Sequence, residues 1–421
     1  MNAAIHPRPA AERAPSYYAA TLNEETDYPT LLGAVTVDIA INCGGFTGVA
    51  TAVELAERGY KVALVETHRI GWGASGRNGG QVTGSLSGDA AMHKQMRQWL
   101  GAEVEDFIWH LRWRGHEIIR QRVEKYGIAC DLRHGHLHAA MKASHMGELQ
   151  ASYEEAVRRG MGDQVVLLDK AGVQAHLETE LYCGALKNTR NMHLHPLNLV
   201  LGEAAAAQSL GVRLFERSPV TRIDYGTEVQ VHTAAGKVRA KTLVLGCNAY
   251  MNDLNPLLGG KVLPAGSYVI ATEPLDEQLA RQLLPQNMAV CDQRVALDYY
   301  RLSADNRLLF GGACHYSGRD PSDIAAYMRP KMLEVFPQLA NVRIDYQWGG
   351  MIGIGANRLP QIGRLPGQPN VYFAQAYSGH GVNATHLAGQ LLAEAIGGQQ
   401  SDGFDLFAKV PHITFPGGKL L

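Results

Sequence analysis

Hydrophobic and polar positions change period several times along this chain, and each change marks an element. From Val35 to Asn42 the run "VTVDIAIN" is short, apolar and β-branched, the pattern of a strand buried on both faces. Val49, Ala52, Val53 and Ala56 then recur at helical spacing, and Gly59 stands where a helix should end. "YKVALVE" predicts a second buried strand. Strand, glycine turn, helix and strand make one βαβ unit, which ends on Glu66. The stretch "AEVEDFIWHLRWRGHEIIRQRVEKYG" predicts a long amphipathic helix with Val104, Ile108, Leu111, Ile118 and Val123 on its buried face, stopped by Gly127. "GHLHAAM" predicts a strand, and "SHMGELQASYEEAVRRG" another helix.

Between Gly211 and Gly246 a series of short strand patterns forms a meander that returns to the apolar run "TLVLG". "GSYVIATEPL", "YYRLSADNRLLFGG" and "RIDYQWGG" predict a second, mostly antiparallel sheet. The tail "NVYFAQAYSGHGVNATHLAGQLLAEAIGG" is strand, glycine loop and helix once more. With βαβ patterns at both ends and strands of another character between, two discontinuous domains are expected. An irregular arm (residues 1–34) precedes a nucleotide-binding domain of segments 35–90, 165–250 and 345–412. Segments 91–164 and 251–344 form a substrate domain. The fold class is α/β with an α+β second domain.

The 421 residues are 46% hydrophobic and 19% charged with a formal net charge of -1, which leaves no basic footprint for nucleic acid or an anionic membrane. No stretch approaches the roughly 20 apolar residues of a membrane span, and the N-terminus has no apolar signal core, so a cytoplasmic protein is expected. None of the six cysteines forms a CxxC pair, so scattered free thiols in a reducing compartment are expected.

The loop "NCGGFTG" approximates G-x-G-x-x-G with Cys43 in the first glycine's place. Gly45 and Gly48 keep the second and third places, which admit a pyrophosphate and let helix pack on strand. If position 43 needs a left-handed backbone, its Cβ costs on the order of 1–3 kcal/mol. Glu66 suits a ribose diol and repels a 2′-phosphate. The alternative is a Rossmann-type sheet whose glycines serve packing only.

"RIGWGASGRNGGQ" follows Glu66 closely. Together with "LVLGCNAY", "HLHPLNLVLGEA", "LDYYRLSADNRLLFGG" and "YSGHGV…THLAG" it resembles the FAD-dependent D-amino-acid-oxidase-like superfamily, and within it the bacterial γ-glutamylputrescine oxidases. The resemblance spans "SYYAATLN" to "FPGG". It implies a glutathione-reductase-like FAD domain and flavin-dependent oxidation of a small-molecule amine, with O2 reduced to H2O2. It further implies that Gly44, Gly45, Thr47 and Gly48 meet the pyrophosphate and Glu66 the adenosine ribose. Ser75, Asn78, Gly79, Gly80 and Gln81 would run along pyrophosphate and flavin, and Val220 would meet adenine. Ser378, Gly379, His380, Gly381 and Val382 would lie at the flavin's pyrimidine end, where a helix N-terminus favours the charge that reduction brings. No cysteine follows Trp348 to match the covalent flavin link of sarcosine oxidase, so noncovalent FAD is implied. Asn42 and Cys43 depart from the family pattern, and the chain stops soon after "FPGG".

For the substrate side, Tyr299, Tyr300 and Arg301 alternate on a predicted strand, as an aromatic cage and a carboxylate partner would. The alternative places one tyrosine in the core and pairs the arginine with Asp298 or Asp305. Trp348 is a candidate wall and His380 a candidate tuner of the flavin. His134, His136 and His138 share a strand face, but without a cysteine or a supporting pattern they are read as an edge strand rather than a metal site. "HLHP" is read as a turn into a helix. Two rival functions keep the fold: a dehydrogenase of secondary amines or N-alkyl amino acids using another acceptor, and a flavin-free paralogue that acts by binding.

Overall fold

The computed structural model describes residues 13–87, 94, 96–98, 101–294, 296–316 and 320–416. Parts of the expected arm (1–12), of a domain boundary (88–93) and the end of "FPGG" lie outside the described residues. In chain order the strands are β1 (Gly33–Asn42), β2 (Val62–Val65), β3 (Gln81–Val82), β4 (Arg133–Ala140), β5 (Val165–Asp169) and β6 (Gly184–His193). β7 (Arg213–Phe215), β8 (Arg222–Asp224), β9 (Val229–His232) and β10 (Gly236–Leu245) follow. Then come β11 (Leu263–Thr272), β12 (Ala289–Asp292), β13 (Tyr299–Leu302), β14 (Leu308–His315), β15 (Ile344–Ile354), β16 (Gln361–Leu365) and β17 (Gln368–Gln375).

β1 is buried at nearly every position after Val37 because it is central. It runs parallel to β2 on one side and β10 on the other, with Asn42 opposite Val65 and Leu245. The first sheet has the order β16-β17-β10-β1-β2-β7, with β8 and β9 attached through β10. Its β17 comes from the C-terminal βα pattern, so the two ends of the chain share one sheet, as their patterns predict. The second sheet, β15-β11-β14-β13-β12-β4-β6-β3 with β5 on β6, is antiparallel except where β12 meets β4.

Two expectations change here. The nucleotide domain is expected to take in 81–82, 165–193 and 345–354, yet β3, β5, β6 and β15 hydrogen-bond within the second sheet. An apolar strand looks alike in either sheet; pairing decides its membership. The arm is also not irregular throughout. Helix α1 (Tyr17–Ala20), capped by Ser16, buries Tyr17 and Tyr18 between the two sheets' loops.

Helix α2 (Phe46–Glu57) follows the first loop, and α3 (Val104–Tyr126) ends on Gly127 at φ 62, as its pattern predicts. Beyond α4 (Ala143–Arg158) and α5 (Lys170–Gln174), α6 (Pro196–Ser209) starts from His195, whose ring accepts from Asn198 N at 3.1 Å. "HLHP" is therefore a helix entry. Helices α7 (Pro256–Gly259), α8 (Glu277–Leu283), α9 (Ile324–Val335), α10 (Gly381–Ile396) and α11 (Asp402–Lys409) complete the chain. α8 and α9 cover one face of the second sheet through Ala280, Leu283, Met328, Met332 and Val335.

Candidate active site

The first wall is the β1–α2 loop. The chain leaves β1 at Asn42, turns at Cys43 with φ 92, and enters α2 from Gly45, which has no side chain to cap the helix. Position 43 thus does require a positive φ, and a Cβ there costs about 1–2 kcal/mol relative to glycine. The Cys43 carbonyl presses on Gly48: a Cβ at Gly48 would lie 1.9 Å from that oxygen. Phe46 N donates to Ser75 Oγ at 2.8 Å, and a Cβ at Gly45 would stand 2.9 Å from the same oxygen. The close approach that the fingerprint demands of its glycines is therefore present. Gly44 N and His68 N donate to the two carboxylate oxygens of Glu66 at 2.6 and 2.8 Å. Burial raises the Glu66 pKa, and these amide donors pull against it.

Cys43 is not a free thiol. It is disulfide-bonded to Cys247, 204 residues later, with Cα atoms 5.3 Å apart. The expectation of unpaired thiols is corrected for these two, because the parallel β1–β10 pairing brings their following turns together. Cys130, Cys183, Cys291 and Cys314 are free.

The second wall comes from the C-terminal loop. Tyr377 OH and Thr47 Oγ1 share a hydrogen bond at 2.8 Å. Ser378 and Gly379 take φ 49 and 96, and Ser378 N donates to Gly353 O at 2.9 Å. α10 then begins at Gly381, with His380 as its N-cap, a buried Val382 and no acidic residue in its first turn. Its Gly389 meets the backbone of α2 so closely that a Cβ would lie 2.9 Å from the Ala50 carbonyl carbon. Two helix N-termini from opposite ends of the chain are thereby fixed side by side.

Asn78 is a loop organiser: its Nδ2 donates to Ala74 O and Ser75 O, and its Oδ1 accepts from Gly80 N at 2.8 Å. Gly79 and Gly80 pass under the second sheet, where a Cβ would strike the Tyr299 ring at 2.3 Å or Leu194 O at 2.1 Å. Gln81 donates to Val290 O at 2.9 Å and meets His136 Nε2 at 3.2 Å. Val220 packs with Cys43 at the edge of the nucleotide sheet's core. Gly44, Gly45, Gly48 and the buried Glu66 carboxylate gather at the end of β1, where the turn into α2 leaves backbone amides that suit the phosphate and ribose of an adenine dinucleotide. Gly44, Gly45, Thr47, Gly48 and Glu66 would hold its phosphate and ribose end, and Ser378 to Val382 the far end.

The substrate candidates separate. Tyr300 lies wholly in the core under α9, stacked on Phe310 with ring centroids 5.6 Å apart, and its OH donates to Tyr182 OH. It does not form a cage. Arg301 is sealed: it donates from Nε to Gly79 O at 2.8 Å, from Nη1 to Leu302 O and from Nη2 to Tyr18 OH. It ties the glycine loop to the sheet instead of facing a substrate carboxylate, and neither Asp298 nor Asp305 is its partner. Trp348 is buried, donating to Arg77 O at 2.9 Å.

Strand register defines a different surface. Tyr299 pairs with Gly311 on β14 and with Cys291 on β12, and Cys291 with His138 on β4. Tyr299, Cys291 and His138 therefore stand in one row on the face opposite Tyr300, and each keeps some exposure while its neighbours on the strands are buried. Gly311 makes room for the Tyr299 ring. Desolvation raises the Tyr299 pKa to about 12, raises that of Cys291, and lowers His138 to about 4. The nearby His380 adds to the last shift. All three groups are uncharged at neutral pH. His138 was weighed in the sequence only as a possible metal ligand; its place in the row needed the register of β4 against β12. Among the described residues no group of three or more His, Cys, Asp or Glu is placed to share a metal, and no helix is long and apolar enough to cross a membrane.

The family model described as "FAD dependent oxidoreductase" (DAO) matches residues 38–395. The chain is 44% identical to the γ-glutamylputrescine oxidoreductase of Escherichia coli over 97% of its length and 95% of that protein. It is 39% identical to the probable oxidoreductase OrdL of Haemophilus influenzae over 97% of this chain and 94% of that one. Among solved structures, glycine oxidase from Geobacillus kaustophilus superposes with a TM-score of 0.74 at 22% identity, covering 90% of this chain and all of that one, and so shows the shared fold.

Proposed function

This chain belongs to the DAO family of FAD-dependent oxidoreductases, and from that premise we propose that it oxidises an amine of the γ-glutamylputrescine kind, with noncovalently held FAD and O2 as final acceptor. The overall conversion is amine, O2 and water to aldehyde, ammonia and H2O2. When bound, FAD supplies the acceptor for the hydride leaving the carbon beside the amine.

The observation that carries the reading is the uncharged row Tyr299–Cys291–His138, whose Tyr299 ring lies against the Gly79 loop. Only an unprotonated amine can release a hydride readily. A row of uncharged side chains, desolvated enough to hold a histidine neutral, disfavours the ammonium form. The Tyr299 hydroxyl and a neutral His138 ring offer hydrogen bonds that orient the nitrogen without trapping it as a cation. Likeness to the E. coli enzyme over nearly the whole chain supports the choice of amine.

Adding γ-glutamylputrescine to the purified yellow protein without air should bleach the flavin absorbance, and admitting air should restore it with one H2O2 per amine. Bleaching followed by recovery only with a dye or carrier points to the dehydrogenase. A protein that stays colourless after incubation with FAD refutes the proposal altogether.

A further inference from the structure

We propose that Cys43 and Cys247 are a redox-responsive staple on the nucleotide loop: a thiol pair that peroxide converts to the disulfide, and whose state sets how firmly FAD is held.

The pair is built by the fold and does not depend on its own bond. β1 and β10 run parallel with Asn42 opposite Leu245, and Gly246 N donates to Asn42 O at 3.1 Å, so the first residues beyond both strands emerge side by side. Cys43 N is held by Val65 O at 2.9 Å. The resulting Cα separation of 5.3 Å lies within the span a disulfide bridges.

Cysteine at position 43 is otherwise hard to account for. The φ of 92 favours glycine. A residue that has to reach across to Cys247 needs a Cβ, and that requirement opposes the conformational cost. The disulfide also sits where a small displacement matters. The Cys43 carbonyl rests on Gly48, so a shift of Cys43 moves the start of α2. On the other side, Cys247 opens a 3-10 turn, Asn248–Tyr250. Asn248 Oδ1 accepts from Ala376 N at 2.9 Å, two residues before Ser378. The Tyr250 hydroxyl accepts from Met351 N at 3.2 Å. One covalent link thus joins the turn into α2 to segments beside Ser378.

Cys43 is partly exposed and lies just before a helix N-terminus, whose field favours a thiolate; Cys247 is buried. The Cys43 thiolate attacks one peroxide oxygen, the O–O bond breaks, and a sulfenic acid and the first water result. The Cys247 sulfur then attacks the Cys43 sulfur, displacing hydroxide, which leaves as the second water with the thiol proton. Two thiols and H2O2 become one disulfide and two waters, the sulfurs losing the two electrons that the peroxide gains. The peroxide can be added, so the pairing stands apart from the oxidase reading; that reading concerns only whether the enzyme makes its own oxidant.

The test uses the holoprotein, reduced with dithiothreitol and then exposed to stoichiometric H2O2. Oxidation should lower the intact mass by about 2 Da and yield one peptide pair joining residues 43 and 247. Because the linked loop has less freedom to lose on binding, the FAD dissociation constant from flavin fluorescence should be three- to tenfold lower in the oxidised protein. Cys247→Ser should bind like the reduced wild type in both conditions. Cys43→Gly should bind more tightly than the reduced wild type and not respond to peroxide. Absence of the 43–247 peptide, or equal FAD affinity in the two states of the wild type, overturns the proposal. Both readouts are independent of turnover and remain available if a variant fails to fold.

Discussion

Replacing Gly48 by alanine sets a local gain against a clash fixed by tertiary structure. Within a helix, alanine is favoured over glycine by about 1 kcal/mol. Here the added Cβ would lie 1.9 Å from the Cys43 carbonyl oxygen, 3.1 Å from its carbon and 3.3 Å from Ile41 Cγ2. Carbon and oxygen approach to about 3.3 Å, so the two must part by about 1.4 Å. Cys43 cannot supply that movement cheaply. Its amide is bonded to Val65 O, and Gly44 O accepts from Gly71 N at 2.9 Å. The start of α2 must therefore move. Overpacking of this size costs about 1–3 kcal/mol after the helical gain is counted. The displaced amides should also lose contact with a bound pyrophosphate, at about 1.5–3 kcal/mol per charged hydrogen bond. We expect the FAD dissociation constant of Gly48→Ala to rise ten- to hundredfold, together with a lower melting temperature. Gly59→Ala is the control. It disturbs a glycine with positive φ (85), which Gly48 lacks, but nothing lies within 4 Å of its Cβ, so it should lower stability while leaving FAD binding alone. Flavin fluorescence titration with thermal melts of the apoproteins measures both. If Gly48→Ala binds FAD within twofold of wild type, the close approach argued for this loop is wrong.

Other consequences follow from buried charge. Arg122 joins Glu203 at 2.9 Å and Glu54 at 3.0 Å, and Glu203 also meets His386 at 3.0 Å, with no exposed surface on either. Arg122→Met should cost about 3–5 kcal/mol by leaving Glu203 short of a partner, and the loss should shrink on acidification as that carboxyl protonates; a loss below about 1 kcal/mol in denaturant unfolding would reject this. Desolvation lowers His136, His193 and His195 to about 3, and His116 and His138 to about 4. Between pH 4 and 6.5 the unfolded chain binds protons that the folded chain refuses, so stability rises with pH through that window. Glu203, lowered to about 2 chiefly by His386 and Arg122 against its own burial, adds loss below pH 4.5, whereas Glu66, Asp292 and Asp298, raised by burial, oppose the trend. A fall of about 2–4 kcal/mol per pH unit near pH 5 is expected in unfolding free energy, and a flat profile would show these rings to be solvated.

The sequence by itself determined the elements whose physics is local. An apolar β-branched run before glycines, helical spacing after them and an acid ending the next strand sufficed to place β1, α2, β2 and Glu66, because period and turn chemistry are properties of neighbouring residues. The glycine motifs beside Thr47 and Ser378 likewise marked two loops that a Thr47–Tyr377 hydrogen bond joins. What the sequence left open depended on which strand lies beside which. Tyr299 and Tyr300 have the same composition-level reading, and only the register of β13 between β12 and β14 turns one toward the Gly79 loop and the other under α9. Arg301 reads as the partner of a substrate carboxylate, of Asp298 or of Asp305, until Gly79, Leu302 and Tyr18 are seen to occupy its donors. β5 and β6 read as apolar strands of either sheet, whereas the pattern of β15 points to the second. Cys43 and Cys247 read as unrelated thiols because 204 residues separate them, and their contact is created by the parallel pairing of two strands. Pairing across long loops is decided by the summed burial of whole sheets, and no window of sequence contains that sum.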